Sequence, residues 1–464
     1  MRYLLILISF SLFGQQYPTE ISTNDFDWGG TFTPPTFTPN VGETIIDDIG
    51  GITELTLICP EDIDRVNMRY SKHPSWNADS TMFMAFSNEG MQFFNAETLE
   101  REQRDVGFTP YYSTTDADVL YGYTNSSTSF FKHTWSTNTT EALYDFGDTY
   151  SRIELGMNEG IIDNNDRFVA LNCTRSGGTD IVVFDILNQE IWSVIELVGN
   201  ADWVSISQSG DYLIVQYFDN GSTFGQSGSW VYDNTQNEPT NLRLLFDQTE
   251  HAAPATDVNG EDVLVAFKIG SQMGNDGGTY MYMARLRDSF IKYKFVDVGG
   301  VGRGIYGGHI SAQNTSNSGW AFVTETCCAV GSEGRPANDV FSIKLDYTDE
   351  SIMRYYFRAY SERIGTEYSA YGTPNRDGTK VLFQSWWYSD ELKNRHTHAP
   401  LWLAEYPQET LTVDEVEENE IPLEVEYFNM LGQKLGKKKP KQKGIYIKKS
   451  VYEDKVLSKL IPIE

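Results

Sequence analysis

The chain has 464 residues, 40% of them hydrophobic and 14% aromatic, and its formal net charge is −29. A chain of this length and apolar content can bury a core, which excludes an intrinsically disordered protein. The negative charge disfavours nucleic acid and anionic lipid as partners, because both are polyanions that the protein would repel.

The first residues have the pattern of an export signal. Met1-Arg2 precedes an apolar run over Tyr3–Phe13 and then Gly14. This run is too short to span a membrane and predicts a signal peptide over residues 1–14, with a buried N-terminal strand as the alternative. No later segment reads as a transmembrane helix, so the sequence predicts a secreted or cell-surface protein. Residues 15–50, rich in Thr, Pro, Gly and Asn, read as a leader segment.

A polar turn runs into a short apolar strand seven times, roughly every 35–60 residues. Asn, Asp, Gly and Ser dominate these turns because they tolerate tight hairpin geometry. A second apolar strand follows each copy after a loop, and no long stretch has a helical period. The seven first strands are Thr81–Phe86, Val119–Tyr121, Arg167–Leu171, Tyr212–Val215, Val263–Phe267, Trp320–Val323 and Thr379–Phe383.

These repeats resemble the blades of TolB and WD-repeat β-propellers, in which an Asp-Gly turn separates the first two strands. The best copies are SQSGDYLIV and NRDGTKVLF. The resemblance implies an all-β fold, a seven-bladed propeller over residues 51–407, in which the strand at Thr53–Cys59 completes the last blade.

The composition changes after Pro407. Residues 408–422 form an acidic linker, and residues 423–464 hold ten lysines against Glu453, Asp454 and three further acidic residues. The segments Tyr427–Gln433 (YFNMLGQ) and Gly444–Ile447 (GIYI) resemble the C-terminal sorting domain of type IX secretion substrates in Bacteroidetes, without its Pro-Asn-Pro opening. That resemblance implies recognition by the secretion machinery. The alternative is a small basic β-module that folds onto the acidic propeller.

Ligands of propellers usually bind where the innermost strands begin, around the axial channel. Histidine, tyrosine and arginine that precede the repeated turns are therefore site candidates, since they suit proton transfer and carboxylate binding. The predicted catalytic residues are His251, Tyr371 and Arg303, and the predicted ligand-binding residues are His73, Tyr112, Trp203 and His309. The alternative is that these side chains only join neighbouring blades.

This layout resembles propeller-type polysaccharide lyases, including oligogalacturonate lyase. The resemblance implies β-elimination from a uronic-acid polymer. An arginine or a divalent cation would neutralise the carboxylate, a histidine would take the C5 proton and a tyrosine would protonate the leaving oxygen. That family keeps metal-ligating histidines before its last Asp-Gly turn, where this chain has Ser369-Ala370-Tyr371-Gly372.

A second metal hypothesis concerns His396 and His398, which would share one face if they lay on a strand. The alternative is a solvated loop. Taken together, the sequence predicts an exported propeller that interacts with an extracellular glycan, with polysaccharide lyase as the enzymatic form of that function. The alternative is a non-catalytic surface scaffold that binds protein or cell-envelope partners.

Overall fold

A computed structural model provides the coordinates of the chain. The described residues are 17–23, 25, 35, 37–47, 52–60, 63, 66–156, 159–197, 199, 201–217, 227–247, 249–268, 280–296, 308–325, 339–348, 350–361, 370–387, 389–407, 424–428, 434–438, 444–451 and 456–463. The predicted signal peptide, the acidic linker, and Arg303 lie outside these residues.

Seven antiparallel sheets follow one another along the chain, each built from strands that are hydrogen-bonded in sequence order. This is a seven-bladed β-propeller, as the repeats predict. Three strands precede the first complete blade, namely β1 Glu20–Ser22, β2 Thr44–Ile46 and β3 Glu54–Leu57. Blades 1 to 3 comprise β4 Val66–Asn67, β5 Met82–Ser87, β6 Gly90–Asn95, β7 Arg101–Glu102; β8 Thr109–Tyr112, β9 Val119–Tyr123, β10 Ser129–Thr134, β11 Thr139–Asp145; and β12 Arg152–Leu155, β13 Phe168–Arg175, β14 Gly178–Asp185, β15 Glu190–Glu196.

The remaining four blades continue the same pattern, and the predicted turns join the first two strands of each blade. Blades 4 and 5 comprise β16 Ala201–Ile206, β17 Tyr212–Tyr217, β18 Gly228–Asp233, β19 Thr240–Phe246; and β20 Glu250–Thr256, β21 Asp262–Lys268, β22 Tyr280–Arg285, β23 Ile291–Val296. Blades 6 and 7 comprise β24 Gly308–Ser311, β25 Trp320–Glu325, β26 Asp339–Lys344, β27 Ile352–Arg358; and β28 Thr373–Pro374, β29 Lys380–Gln384, β30 Leu401–Glu405. A short helix, α1 Asp390–Arg395, lies between β29 and β30.

The N-terminal strands close the ring. Strand β3 pairs with β30 and so completes blade 7, as expected for the segment at Thr53–Cys59. Strand β2 adds a fifth strand outside β3, and β1 adds a fifth strand to blade 6 by pairing with β27. Edge strands expose unpaired backbone groups, so these additions cover the edges of the last two blades. The two extra strands were missed in the sequence because each has only three residues.

The blades pack face to face, so their central strands are buried on both sides. Val263, Leu264, Val265 and Ala266 in β21 are all fully buried. Each such side chain removes apolar surface from water, which stabilises the fold by about 1.5–3 kcal/mol for a large residue. This two-sided burial explains why the repeats read as continuous apolar runs rather than as alternating patterns.

Hydrogen bonds between non-neighbouring blades cross the axis at the end where the repeated turns lie. Arg376 of blade 7 is buried and donates to the carbonyl of Ser113 in blade 2, with Nη2 and O 3.3 Å apart. Gln313 of blade 6 donates to the carbonyl of Lys72 in blade 1 at 3.1 Å. Gln208 of blade 4 donates to the carbonyl of Ala312 in blade 6 at 2.7 Å. These bonds tie the ring together across its centre.

A separate small sheet follows the propeller, as the change in composition predicts. It consists of β31 Glu424–Phe428, β32 Lys434–Gly436, β33 Gly444–Val451 and β34 Val456–Ile463 in the order β32-β31-β33-β34. The two motifs noted in the sequence contribute to β31 and β33, which pair antiparallel. In the part of the chain that the structure covers, no helix is long and apolar enough to cross a membrane.

Candidate functional site

Three of the predicted residues come together from three different blades. The rings of His251 in β20 and His309 in β24 have centroids 4.3 Å apart. The ring of Tyr371, just before β28, lies 4.4 Å from that of His309. The structure thus brings these three predicted side chains together. We call these three residues, together with the neighbouring Tyr70, Lys72, Glu159 and Trp203 described below, the axial cluster.

Unusual backbone geometry points two of these side chains inward. His251 is the extra residue of a β-bulge in β20, with φ of 47°, and Tyr371 has φ of 48°. Non-glycine residues rarely adopt this left-handed conformation, which costs on the order of 1–3 kcal/mol. Bulges redirect a side chain and are common beside functional sites. The surrounding blades hold both residues in these strained conformations.

The next residue, Gly372, sits against blade 6 so closely that no side chain fits there. Its backbone N–H donates to Thr324 Oγ1 at 2.9 Å, and a Cβ atom at this position would lie 2.5 Å from the same oxygen. A real Cβ atom does not come this close to an oxygen. Glycine at this position therefore allows the chain to bring Tyr371 to His309.

Sequence reasoning missed the cationic part of the axial cluster. Lys72 is almost fully buried, and its Nζ lies 2.7 Å from Glu159 Oε2. The same ammonium lies 4.0 Å from the ring centroid of Trp203 and 5.4 Å from that of Tyr70. Tyr70 in turn contacts the rings of both His309 and Tyr371, with centroids 5.3 and 5.4 Å apart. A buried ion pair held between aromatic faces thus adjoins the two histidines.

The next residue, His73, was predicted from the sequence to bind the ligand, but it has different surroundings. Its Nε2 lies 3.1 Å from the carbonyl of Pro110, and its ring packs on Tyr111 with centroids 4.7 Å apart. Burial, and then the charge of Arg69, hold the pKa of His73 well below its usual value. Tyr70 to His73 form a turn, in which the His73 N–H donates to the Tyr70 carbonyl at 3.1 Å, and from this turn His73 packs between blades while Lys72 reaches the axial cluster.

Both histidines of the cluster are neutral at pH 7. Burial, followed by the positive charge of Lys72, lowers the pKa of His251. Burial, His251 and Lys72 together hold the pKa of His309 well below its usual value. The backbone of Gly308 acts in the opposite direction and raises the pKa of His251, and Nδ1 of His251 has no hydrogen-bond partner among the described residues.

Several buried nitrogen atoms of the cluster have no hydrogen-bond partner among the described residues. They are His251 Nδ1, His309 Nδ1 and Trp203 Nε1, while Lys72 Nζ has its ion pair with Glu159 but is not oriented for a hydrogen bond. Buried polar atoms are normally hydrogen-bonded, and leaving one unsatisfied costs on the order of 1–3 kcal/mol. Three such atoms in one cluster are typical of a place where a ligand or ordered water completes the bonding.

A cavity of about 940 Å³ adjoins the cluster, and Tyr371 forms part of its wall. This volume is in the range of pockets that hold small organic ligands. Four arginines line it against three carboxylates, so its wall carries a positive balance in a strongly acidic protein. The charged lining residues are Arg69, Arg101, Arg104, Arg152, Glu89, Asp105 and Glu154.

The other predicted ligand-binding residues are buried. Trp203 offers the face of its ring to Lys72, as described above. Tyr112 is 2% exposed and packs against Phe93 with ring centroids 6.3 Å apart. Burial raises the pKa of the Tyr112 hydroxyl far above its usual value. Tyr112 thus contributes to the core between blades 1 and 2. The predicted carboxylate clamp, Arg303, lies outside the described residues.

The histidine pair considered for metal binding does not lie on a strand. His396 caps the C-terminus of α1 and is buried with Nδ1 3.8 Å from Cys59 Sγ, whereas His398 lines the cavity. The two side chains therefore have different surroundings, because the chain follows a helix end here. Within the described ranges, no group of three or more His, Cys, Asp or Glu side chains has the geometry to hold a metal ion. These residues therefore do not supply the donor set that a catalytic divalent cation needs.

Comparison with known proteins identifies the fold but no family. No family model matches the sequence, and no curated protein matches it. Among solved structures, oligogalacturonate lyase from Vibrio parahaemolyticus is similar with a TM-score of 0.55 and 12% identity, over 79% of this chain and 97% of that chain. TolB from Acinetobacter baumannii has a TM-score of 0.32 and 15% identity, over 49% of this chain and 53% of that chain. The Pan2 WD40 domain from Neurospora crassa has a TM-score of 0.44 and 9% identity, over 76% of this chain and 94% of that chain.

Proposed function

We propose that the protein is an exported propeller that binds an acidic extracellular polysaccharide and cleaves it by β-elimination at the axial cluster. The observation that carries this proposal is the position of Tyr371. This residue lines the arginine-bearing cavity and also contacts His309, so it joins a place where a ligand fits to a group of neutral, basic imidazoles. The similarity in fold to oligogalacturonate lyase is consistent with the proposal but shows the fold alone.

The cavity has the charge that a carboxylated sugar chain requires. The protein as a whole repels anions, so an acidic ligand binds only where cationic side chains reverse the local potential. The arginines of the cavity supply this reversal, and a guanidinium binds a carboxylate through two parallel hydrogen bonds. Neutral sugars gain nothing from these groups.

The axial cluster holds the groups that β-elimination needs. In the proposed reaction, Nδ1 of His251 takes the C5 proton of a uronic-acid unit, and the released electron pair forms the C4–C5 double bond. The C4–O bond then breaks, and the Tyr371 hydroxyl gives its proton to the leaving oxygen. Water restores both side chains, so no oxidant or reductant is required. Nδ1 of His251 is covered, and in this proposal the sugar reaches it from the cavity by way of Tyr371, which lines the cavity.

One experiment tests this function directly. The protein would be incubated with polymers of galacturonic, mannuronic, guluronic and glucuronic acid, and the ultraviolet absorbance of the unsaturated product would be followed. We expect absorbance to rise with at least one polymer, and the rise to vanish with Tyr371→Phe. Absence of any rise with a folded protein would contradict the lyase activity, and absence of binding by calorimetry would contradict the glycan site as well.

A second candidate function, a non-catalytic surface scaffold, is favoured by one feature of the outer rim. The outermost strands of blades 3 and 4 and a nearby loop expose large apolar side chains, which mark protein contacts when they cluster. They are Leu187, Ile191, Val194, Leu242 and Leu244. A scaffold would bind its partner equally well after Tyr371→Phe, which separates the two functions.

A further inference from the structure

We infer that Lys72 is the residue that selects the carboxylate of the bound sugar, and that Glu159 occupies this position as an internal substitute until the ligand displaces it. This inference rests on the proposed glycan function and adds the specificity determinant of the site. Its elements are an almost fully buried cation, a single carboxylate partner, and the aromatic rings around them.

The buried ammonium of Lys72 needs a counter-ion close by. Its side chain is 2% exposed, so water does not solvate the ammonium, and a desolvated cation needs a nearby negative charge. Glu159 Oε2 provides it at 2.7 Å, while the faces of Trp203 and Tyr70 contribute weaker cation–π attraction. The site is therefore built for one carboxylate.

Glu159 differs from the rest of the cluster in being able to leave. Its side chain is 25% exposed, and it belongs to the connection after β12 rather than to a strand. Gly156 and Gly160, on either side of Glu159, lie close against blade 4, since a Cβ on Gly156 or Gly160 would lie 2.2 or 2.6 Å from the Val204 carbonyl. In this proposal, rotation of the Glu159 side chain frees Lys72.

A sugar carboxylate would take over the role of Glu159 without changing the charge of the cluster. Lys72 lowers the pKa of His251 whereas Glu159 raises it, so exchange of one carboxylate for another leaves His251 neutral and basic. The unpartnered nitrogens of His251, His309 and Trp203 lie within the same cluster and are available to sugar hydroxyls. A neutral sugar cannot replace Glu159, since Lys72 would lose its only counter-ion within the described part of the chain. Acidic sugars are selected for this reason.

The test measures binding by calorimetry with trisaccharides of galacturonic acid and of mannuronic acid, and with the same trisaccharides after reduction of their carboxyl groups. Glu159→Gln removes the competing charge, and we expect it to bind the acidic trisaccharide about fivefold to tenfold more tightly than the wild type. Lys72→Met removes the partner of the sugar carboxylate, and we expect affinity to fall at least about tenfold. The reduced trisaccharides should bind neither to the wild type nor to either variant.

Two further variants keep the result interpretable. Glu196→Gln breaks an exposed ion pair with Arg175, at 3.0 Å, from the outermost strand of blade 3, and should leave binding unchanged. If Glu159→Gln folds poorly, Glu159→Asp takes its place. It keeps the negative charge but shortens its reach to Lys72, so we expect it to tighten binding by a smaller factor than glutamine would. If the wild type binds and Glu159→Gln or Glu159→Asp binds no more tightly, the role of Glu159 is wrong and the glycan function stands. If no form binds any acidic trisaccharide, both fail.

Discussion

The imidazole of His309 and the phenol of Tyr371 meet edge to face, with ring centroids 4.4 Å apart and ring planes at 68°. The two residues come from different blades, and this contact links the buried histidines to the wall of the arginine-bearing cavity. Variants at this contact can separate effects on catalysis from effects on folding.

Replacement of Tyr371 by phenylalanine should abolish most of the proposed activity and leave the fold intact. The ring still fills its place against His309, but the hydroxyl that protonates the leaving oxygen is gone, and loss of one general acid lowers a rate by about 10²–10⁴-fold. Product absorbance measures the rate, and thermal unfolding with calorimetric binding provides the controls. A variant with unchanged turnover would show that Tyr371 is not the acid.

The buried ion pair should respond unequally to removal of its two members. Glu159→Ala strands the ammonium of Lys72 in a buried place, and we expect a loss of about 2–3 kcal/mol in the free energy of unfolding. Lys72→Met packs an apolar chain against Trp203 and leaves a glutamate that water can reach, so its cost should stay below about 1 kcal/mol. Chemical denaturation of the two variants and the wild type measures these two losses in the free energy of unfolding. Equal losses would argue against a desolvated lysine.

Gly372 should tolerate no side chain. A methyl group there would lie 2.5 Å from Thr324 Oγ1 and would push the backbone away, breaking the N–H···O bond that holds it. Gly372→Ala should therefore cost about 1–3 kcal/mol of stability and reduce the proposed activity, because Tyr371 moves with its neighbour. Thr324→Ala removes the clashing hydroxyl, so the double variant should recover part of the loss. An additive double variant would contradict the steric explanation.

The protein should lose stability as pH falls below about 6.5. The unfolded chain protonates its histidines near this pH, whereas the folded chain keeps His251, His309 and His73 neutral at lower pH because their pKa values are depressed. Each such group contributes up to about 1.4 kcal/mol per pH unit within that window. Asp163 opposes the trend, since burial raises its pKa to about 6 and the folded state binds that proton first.

Urea unfolding between pH 7.5 and 5 measures this dependence. Lys72 and Glu159 are the charged groups that face the two axial histidines, and neither changes its pairing in Glu196→Gln, which serves as the unaffected control. His309→Gln should flatten the slope, whereas Asp163→Asn should steepen it. A midpoint that stays constant with pH in the wild type would show that the buried histidines do not control stability.

The fold could be predicted from the sequence because seven copies of one local pattern each report the same turn and strand. The axial convergence of His251, His309 and Tyr371 followed from their equivalent positions in successive repeats. Lys72 and Glu159 were missed for a physical reason. Which of Lys72 and His73 faces the cluster depends on the turn at Tyr70 to His73, and Glu159 lies on a connection beside which Gly156 and Gly160 pack against Val204. Neither leaves a periodic signal.

Arg376 should be the largest single contributor to ring closure among the polar residues at the turn end of the axis. It is 3% exposed and donates to the carbonyls of Trp76 at 3.0 Å and Ser113 at 3.3 Å and to Gln313 Oε1 at 3.3 Å. Burial lowers the pKa of its guanidinium to about 10, so the side chain remains charged at pH 7.

Arg376→Met would leave these buried acceptors without donors, and each unsatisfied group costs on the order of 1–3 kcal/mol. We therefore expect a loss of about 3 kcal/mol or more in the free energy of unfolding. Arg287→Met, which breaks an exposed pair with Glu261, should cost less than about 1 kcal/mol. Arg376→Lys should fall between them, since an ammonium cannot reach several blades at once. Equal stability of the Arg376 and Arg287 methionine variants would show that the blades close without this residue.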